Sequence, residues 1–133
     1  MAGKSQPISD GIRAKLEQAR IARLATLDTH RRPHIVPVCF VYDGSVFYTA
    51  VDRKPKSVAP EKLARLRNIA RAPQVALLID EYCEDWAHLW FILVRGRASL
   101  IGTSAHEERV RAIRLLKEKY QQYAGGIDRK SVV

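Results

Sequence analysis

An apolar run at residues 89–94, Leu-Trp-Phe-Ile-Leu-Val, limits the possible folds more than any other part of the sequence. The run has no polar alternation, so a strand formed from it must be covered on both faces. We predict a long strand over residues 86–101, with one face turned into a barrel. A packed helix or a second copy of the chain must cover the other face. The pattern favours a homodimer, and a strand buried within a monomer is the alternative.

The remaining segments predict four further strands and three helices in one domain of 133 residues. Strands are expected at residues 21–27, 34–42, 45–50 and 74–80, and helices from Ser9, from Pro60 and over residues 105–120. Asp43-Gly44 supplies the positive-φ pair of a tight hairpin between the second and third strands. Residues 1–8 and 121–133 are expected to be tails. The predicted fold class is α+β with an antiparallel barrel and flanking helices.

Pro37 interrupts the second predicted strand, because proline cannot donate a ladder hydrogen bond. Either this strand lies at an edge or the sheet opens at that point. In the last helix, Ile113, Leu116 and Tyr120 form an apolar stripe, and Glu107 and Arg111 are spaced as an i,i+4 ion pair.

Composition excludes several classes of protein. No apolar run approaches the roughly 18 residues of a membrane span, and residues 1–20 lack the apolar stretch of a signal peptide, which predicts a soluble, cytoplasmic protein. Cys39 and Cys83 occur without a CxxC motif and are expected to be reduced and half-buried. The four histidines form no ligand set, so no metal site is predicted.

The net charge of +9 indicates an anionic partner, and its distribution is uneven. Residues 51–72 carry seven basic side chains against two acidic ones. A nucleic-acid groove usually spreads its charge along a face with interleaved aromatics, whereas here the charge is concentrated in one loop and the following helix. A phosphorylated small molecule is therefore preferred to nucleic acid as the partner.

The sequence contains no phosphate-binding glycine loop, no HExxH motif and no catalytic triad order, so any reactivity has to come from a bound cofactor. The segment at residues 47–57 is the best place to hold one. Thr49 at a strand end is followed by Arg53, Lys54 and Lys56, with Pro55 keeping the loop extended. These groups offer a phosphate one neutral donor and several cations, although ordinary solvated loop charges are the alternative.

Four stretches of the sequence carry a resemblance: Ala22 to Leu27, Arg32 to Val38, Tyr48-Thr49 with Lys54 to Lys56, and Glu84 to Trp86 continuing through Leu89-Trp90 to Gly96-Arg97-Ala98. Together they resemble the split-barrel flavin-binding superfamily that includes pyridoxamine-phosphate oxidase, and more narrowly its deazaflavin-dependent branch. The resemblance implies a homodimer that binds coenzyme F-420 (the deazaflavin) or FMN. It places the backbone of Val36, Pro37 and Val38 along the cofactor ring.

The resemblance also places Tyr48 and Thr49 near the phosphate, with Lys54 and Lys56 gripping it. Trp90 matches a position that contacts the ring across the dimer interface, and core packing is its alternative. Members of the superfamily normally add a strand after the last helix, and we expect residues 121–133 to be a tail or a truncated form of this strand. The Arg-x-His substrate motif near the C-terminus is absent, so vitamin B6 oxidation is not expected.

The preferred function is transfer of a hydride between F-420 or FMN and a small organic substrate. No catalytic residue is assigned, and Tyr48 and His88 are only candidates for an acid or base. One alternative is a split barrel that binds a flavin, deazaflavin or haem without turnover. A basic nucleic-acid-binding domain is the weaker alternative.

Overall fold

A computed structural model describes residues 8–52, 60–102, 104–121 and 127–132 of the chain. These residues form three helices and seven strands: α1 (Asp10–Gln18), β1 (Ala22–Leu27), β2 (Pro33–Val38), β3 (Phe40–Tyr42), β4 (Phe47–Asp52), α2 (Pro60–Arg71), β5 (Gln74–Glu81), β6 (Trp90–Arg97), α3 (His106–Lys119) and β7 (Ile127–Val132). The fold is α+β, as predicted. None of the helices within these residues is long and apolar enough to cross a membrane.

The strands form two antiparallel sheets. Sheet A has four strands in the order β2-β1-β5-β6, and sheet B has three in the order β3-β4-β7. One apolar core lies between the sheets and α1, and its fully buried members include Leu16, Phe40 and Ile79. A second core lies between sheet B and α3, around Ala112 and Leu116. Strands β3 and β4 of sheet B therefore pack apolar side chains on both faces. Sheet A packs only one face against a core, and its other face points outward.

The predicted hairpin is present, with a longer loop than expected. Residues 43–46 connect β3 to β4, and only Gly44 has a positive φ, at 107°. The Asp43 carboxylate accepts hydrogen bonds from the Ser45 and Val46 backbone N–H groups, at 2.9 and 2.8 Å. This side chain replaces the second positive-φ residue of a two-residue turn. Consequently β4 begins at Phe47 and not at residue 45.

Pro37 lies on β2, which is an edge strand of sheet A, so the first explanation for this proline is confirmed. The sheet does not open at Pro37, because Pro37 and Val38 still pair with Arg23 and Ala22 on β1, and the chain leaves sheet A only after β2. Cys39 separates β2 from β3, and the chain continues into sheet B at Phe40. The predicted single strand over residues 34–42 is therefore two short strands in different sheets.

The chain crosses between the sheets at a point fixed by Tyr120, just after α3. The Tyr120 hydroxyl accepts a hydrogen bond from the Phe40 N–H at 3.1 Å. It lies 3.0 Å from the Phe40 carbonyl and 3.1 Å from the Arg20 carbonyl, either of which can accept its proton. One buried side chain thus connects the end of α3 to β3 and to the segment between α1 and β1.

The strand predicted over residues 86–101 is shorter, because it runs only from Trp90 to Arg97. Asp85 ends the preceding segment in a turn, where its side chain and backbone accept from Ala87 and His88. Trp90, Ile92 and Val94 pack against the core as expected. On the outward face Phe91 remains 69% exposed and Leu93 47%, so the described residues of one chain do not cover this face.

A final strand exists, contrary to the expectation of a tail at residues 121–133. Strand β7 pairs with β4, with Ala50 opposite Val132 and Asp52 opposite Ile127. Its sequence, Ile-Asp-Arg-Lys-Ser-Val, is mostly polar and follows Gly125-Gly126, so it lacks the apolar pattern by which strands are recognised. Sheet B consequently gains a third strand at its β4 edge.

Two smaller expectations have different outcomes. Cys39 and Cys83 are free and half-buried, as predicted. Arg111 forms its ion pair with Asp43, at 2.8 Å, and not with Glu107 one helical turn earlier. The Asp43 side chain is almost fully buried in this pair, so α3 is anchored directly to the hairpin loop. The backbone N–H groups and Arg111 lower the pKa of Asp43 more than burial raises it.

Candidate functional site

A cleft of about 520 Å³ lies between the two sheets, where β4 faces the C-terminal half of β6. Its floor and walls are mainly apolar and come from both sheets, with Leu24, Val75, Leu77 and Val94 from sheet A and Phe40 and Phe47 from sheet B. Alternation along the strands places these side chains on the inward faces. The cleft therefore offers a planar apolar group two apolar walls.

The polar wall of the cleft is formed by β4 and α3. The Tyr48 hydroxyl donates to the Glu108 carboxylate at 3.2 Å, linking β4 to the first turn of α3. Burial raises the pKa of Tyr48, and the adjacent Glu108 charge raises it further. Tyr48 therefore remains a protonated hydroxyl at neutral pH. Its oxygen can still accept a hydrogen bond from a ligand.

Thr49 is buried beside Tyr48 and also lines the cleft. Its hydroxyl donates a hydrogen bond to the carbonyl of Cys39 at 2.7 Å. Cys39 is the residue between β2 and β3. This bond satisfies a carbonyl that lies outside both sheets and leaves the hydroxyl oxygen able to accept. Tyr48 and Thr49 are consecutive on β4, so their side chains leave opposite faces of sheet B, and each hydroxyl is held by its own donor bond.

The opposite side of the cleft opens at Gly96 on β6. A Cβ atom at this position would meet nothing within 4 Å, so the missing side chain leaves open space between Val94 and Ala98. Arg95 and Arg97 flank the opening and also line the cleft. Alternation along β6 turns both arginine side chains to the outward face of sheet A, so the cleft opens at Gly96 between the apolar residues Val94 and Ala98.

The predicted site residues occupy three different places. Tyr48 and Thr49 line the cleft. On β2, Val36 and Val38 point into the core, whereas Pro37 is exposed on the outward face of sheet A. None of these three β2 side chains is among the residues that line the cleft.

Trp90 lies at the start of β6, far along the strand from the opening at Gly96. Its indole N–H donates to the Glu81 carboxylate at 3.2 Å, and the Lys15 ammonium lies 5.8 Å from its ring centre. Its ring packs partly against the core, which is the alternative given for it above. Arg53, Lys54 and Lys56 lie outside the described residues.

His88, the other candidate acid or base, lies in the connection between β5 and β6. Its side chain is 74% exposed and its Nδ1 atom is 2.9 Å from the Asp85 carboxylate. It does not line the cleft. Of the two candidates, Tyr48 is the one in the cleft.

Sequence reasoning missed Glu108, Arg95 and Arg97. Glu108 is 60 residues from Tyr48, and only the packing of α3 on sheet B brings them together. The two arginines could have been found from the sequence. In a strand, Arg-Gly-Arg at residues 95–97 puts two cations on one face, with a glycine between them on the other.

Comparison with known proteins identifies the family. The family model for pyridoxamine 5'-phosphate oxidase matches residues 8–133, which is nearly the whole chain. The chain belongs to this family. The match confirms the resemblance drawn from the four sequence stretches, and the two antiparallel sheets with flanking helices are consistent with the split barrel of pyridoxamine 5'-phosphate oxidase-like proteins.

One curated relative is the 5a,11a-dehydrotetracycline/5a,11a-dehydrooxytetracycline reductase of Streptomyces rimosus, 31% identical over 91 residues. The match covers 65% of this chain and 59% of the relative, so the chain spans less than two thirds of that protein.

Two solved structures share the fold. The heme storage protein HutZ of Vibrio cholerae has a TM-score of 0.67 at 18% identity, over 88% of this chain and 78% of its own. An F420 reductase has a TM-score of 0.58 at 20% identity, over 86% and 79%.

Proposed function

We propose that this member of the family is an oxidoreductase that transfers a hydride between coenzyme F-420 or FMN and a small organic substrate. The observation that carries the proposal is the cleft between the sheets, which has apolar walls and is also lined by Tyr48 and Thr49 of β4. Along the chain, these residues come just before the basic segment at residues 53–56. The relative named as a reductase and the F420 reductase with the same fold support redox chemistry.

The described residues suit a flavin-like group. A planar ring system needs apolar walls, and its polar edge needs a few fixed hydrogen-bonding groups, both of which the cleft has. The bound ring would supply the hydride chemistry. The chain's own residues bind and orient the ring, exclude water from the apolar walls, and hold a proton on the Tyr48 hydroxyl. Lys54 and Lys56 would neutralise the phosphate.

We also propose that a second copy of the chain covers the outward face of sheet A. Phe91 and Leu93 on β6 and Ile35 on β2 are exposed there by 69%, 47% and 64%. Exposed apolar side chains on a sheet face are typical of a protein interface. A homodimer that buries this face would cover β6 on both sides, as its sequence requires.

Titration of the purified protein with FMN and with F-420, followed by fluorescence, tests the cofactor proposal. We expect one of them to bind with a Kd below about 100 μM, which corresponds to about −5.5 kcal/mol. A Lys54→Ala, Lys56→Ala double variant should bind at least tenfold more weakly, while Lys117→Ala on the exposed face of α3 should bind normally. If neither cofactor binds below that Kd, the proposed function is wrong.

The alternative of a binding module without turnover is favoured by the fold shared with the heme storage protein. It predicts tight cofactor binding with no reduction of the bound ring by any common donor. Haem usually takes a His, Cys or Met axial ligand and more rarely a Tyr. Among the described residues that line the cleft there is no His, Cys or Met, and the Tyr48 hydroxyl is bonded to Glu108. We therefore prefer the oxidoreductase.

A further inference from the structure

The C-terminal end of β6 is basic on the outward face of sheet A. Arg95 and Arg97 project from this face, and neither forms an ion pair or a hydrogen bond within the described parts of the chain. Strand register explains this, because their neighbours on β5 are Ala76 and Gln74, which carry no charge. Two like charges on one strand face repel each other, so a counter-charge from outside the chain would stabilise them.

The opposite end of β6 is acidic. Asp80 on β5 lies beside Phe91 on the outward face, and Glu84 and Asp85 follow in the connection between β5 and β6, residues 82–89. We call these eight residues the acidic connection. Glu84 is exposed and has no ion pair within the described residues. The outward face therefore has negative charge at one end of β6 and positive charge at the other.

This distribution determines how a second copy can cover the face. Two identical sheets that pack face to face across a two-fold axis have that axis in their interface. An axis along the strands keeps equal levels together, so each basic end meets a basic end. An axis across the strands places β6 over β6 in the opposite direction, so each basic end meets an acidic end. Charge complementarity favours the second arrangement.

The apolar residues of the face fit this arrangement. Leu93 lies midway between Phe91 and Arg95, and with the axis at Leu93 this residue contacts its own copy. Arg95 then faces Phe91 of the second copy and the neighbouring Asp80, which offer it a ring and a carboxylate. Arg97 faces the acidic connection of the second copy. The same contact buries exposed apolar surface and neutralises the arginines.

The arrangement also brings the second copy to the cleft. The cleft opens at Gly96, and its lining continues through Ala98 and Ser99, which lie beyond the last residue of β6. Sheet A ends there and no longer separates its outward face from the cleft. The acidic connection of the second copy reaches this end of β6. It carries Tyr82 and Trp86, which are 66% and 74% exposed in one chain.

We propose that two copies pack with β6 over β6 in opposite directions, held by Arg95 and Arg97 of each copy against the acidic connection of the other. Trp86 of the second copy then closes the opening of the cleft, so each cleft is completed by both copies. The orientation deepens the dimer proposed above, and the role of Trp86 at the cleft rests on the proposed function.

Charge reversal with sedimentation velocity tests the orientation. Arg95→Glu, Arg97→Glu makes both ends acidic, and Asp80→Lys, Glu84→Lys makes both ends basic. Each double variant alone should dimerise with a Kd at least tenfold higher than that of the wild type. An equimolar mixture, with a fluorescent label on one variant, should form a heterodimer with a Kd close to the wild-type value, because both contacts are complementary again.

A matched control places the same charge change elsewhere. Arg114→Glu, Lys117→Glu on exposed α3 should dimerise like the wild type. If the Arg95→Glu, Arg97→Glu variant also dimerises like the wild type, or if the mixture does not recover, opposite ends do not meet and the proposal is wrong. Recovery in the mixture also shows that both variants are folded.

Titration with FMN and F-420 tests the contribution to the cleft. At protein concentrations above the dimer Kd, Trp86→Ala should bind the cofactor at least tenfold more weakly than the wild type, and unchanged affinity would show that Trp86 does not reach the cleft. If the charge variants behave as expected but neither cofactor binds the wild type, the orientation is supported and the proposed redox function fails.

Discussion

Replacing Tyr120 by phenylalanine should loosen the point at which the chain crosses from sheet A to sheet B. The hydroxyl is the acceptor for the Phe40 N–H and lies within hydrogen-bond distance of the Phe40 and Arg20 carbonyls. Tyr120 is 2% exposed and Phe40 is fully buried, so water cannot take the place of the hydroxyl without rearrangement. Tyr120→Phe keeps the ring and removes these bonds.

The magnitude follows from the groups left without partners. A buried N–H without an acceptor costs about 1–3 kcal/mol, and one carbonyl also loses its donor. We therefore expect Tyr120→Phe to lower the free energy of unfolding by about 2–3 kcal/mol, a large fraction of the stability of a domain of this size. The loss should also reach the cleft, because Cys39, whose carbonyl accepts from Thr49, precedes Phe40.

Urea unfolding followed by far-UV circular dichroism measures this change, and Tyr42→Phe provides the matched control. Tyr42 is also buried, at 9% exposed, but its hydroxyl has no hydrogen bond to the described residues. The control should lose less than about 0.5 kcal/mol. If both variants lose the same amount, the Tyr120 hydroxyl bonds do not stabilise the crossing and the reasoning is wrong.

Three further predictions concern other parts of the chain. Burial lowers the pKa of Lys119 from 10.5 to about 8, so between these pH values the folded state binds fewer protons than the unfolded state. The free energy of unfolding should therefore rise with pH over this range. In urea unfolding, the midpoint of the wild type should rise between these pH values, and Lys119→Met should remove that rise. Gly44→Ala should cost about 1–3 kcal/mol, because a φ of 107° is strained for a residue with a Cβ, whereas Gly11→Ala in α1 should not destabilise. Calorimetry that gave both variants the same melting temperature would contradict this. Phe91→Ser should shift the protein to monomer in sedimentation velocity, and an unchanged dimer would show that this face is not the interface.

The elements with strong local signals were predictable from the sequence. Ser9 caps α1 by accepting from the Ile12 N–H, and Pro60 begins α2, because caps and prolines act within one turn of chain. The hairpin between β3 and β4 was predicted from Asp43-Gly44. Its loop length was not, since it depends on the Asp43 side chain binding two backbone groups.

Features that depend on tertiary packing were beyond sequence reasoning. The break at Cys39 has no local signal, because the residues on both sides favour strands and only the separation of the two sheets divides them. Strand β7 was missed because its pairing with β4, and not an apolar pattern, makes it a strand. Arg111 forms its ion pair with Asp43, which is 68 residues away in sequence, and not with Glu107, the partner that the i,i+4 spacing of the helix predicted.

The candidate site was predictable in part for the same reasons. Tyr48 and Thr49 could be found because they lie at a strand end before a basic loop. Glu108 could not be linked to Tyr48 by spacing, and the place of Gly96 in the cleft wall depends on the packing of β6 against sheet B. The assignment of Val36, Pro37, Val38 and Trp90 to the cofactor came from resemblance and remains a prediction.

The two prolines of β2 have a consequence for how sheet A can grow. Residues 33, 35 and 37 share one orientation in a ladder of six regular pairs with β1. Proline fits such a ladder only where its nitrogen points away from the partner strand, so Pro33 and Pro37 remove two of the three donors on the free edge. An extended peptide cannot add there with a full set of backbone bonds. Strand addition to sheet A, whether in recognition or in aggregation, is therefore directed to the β6 edge.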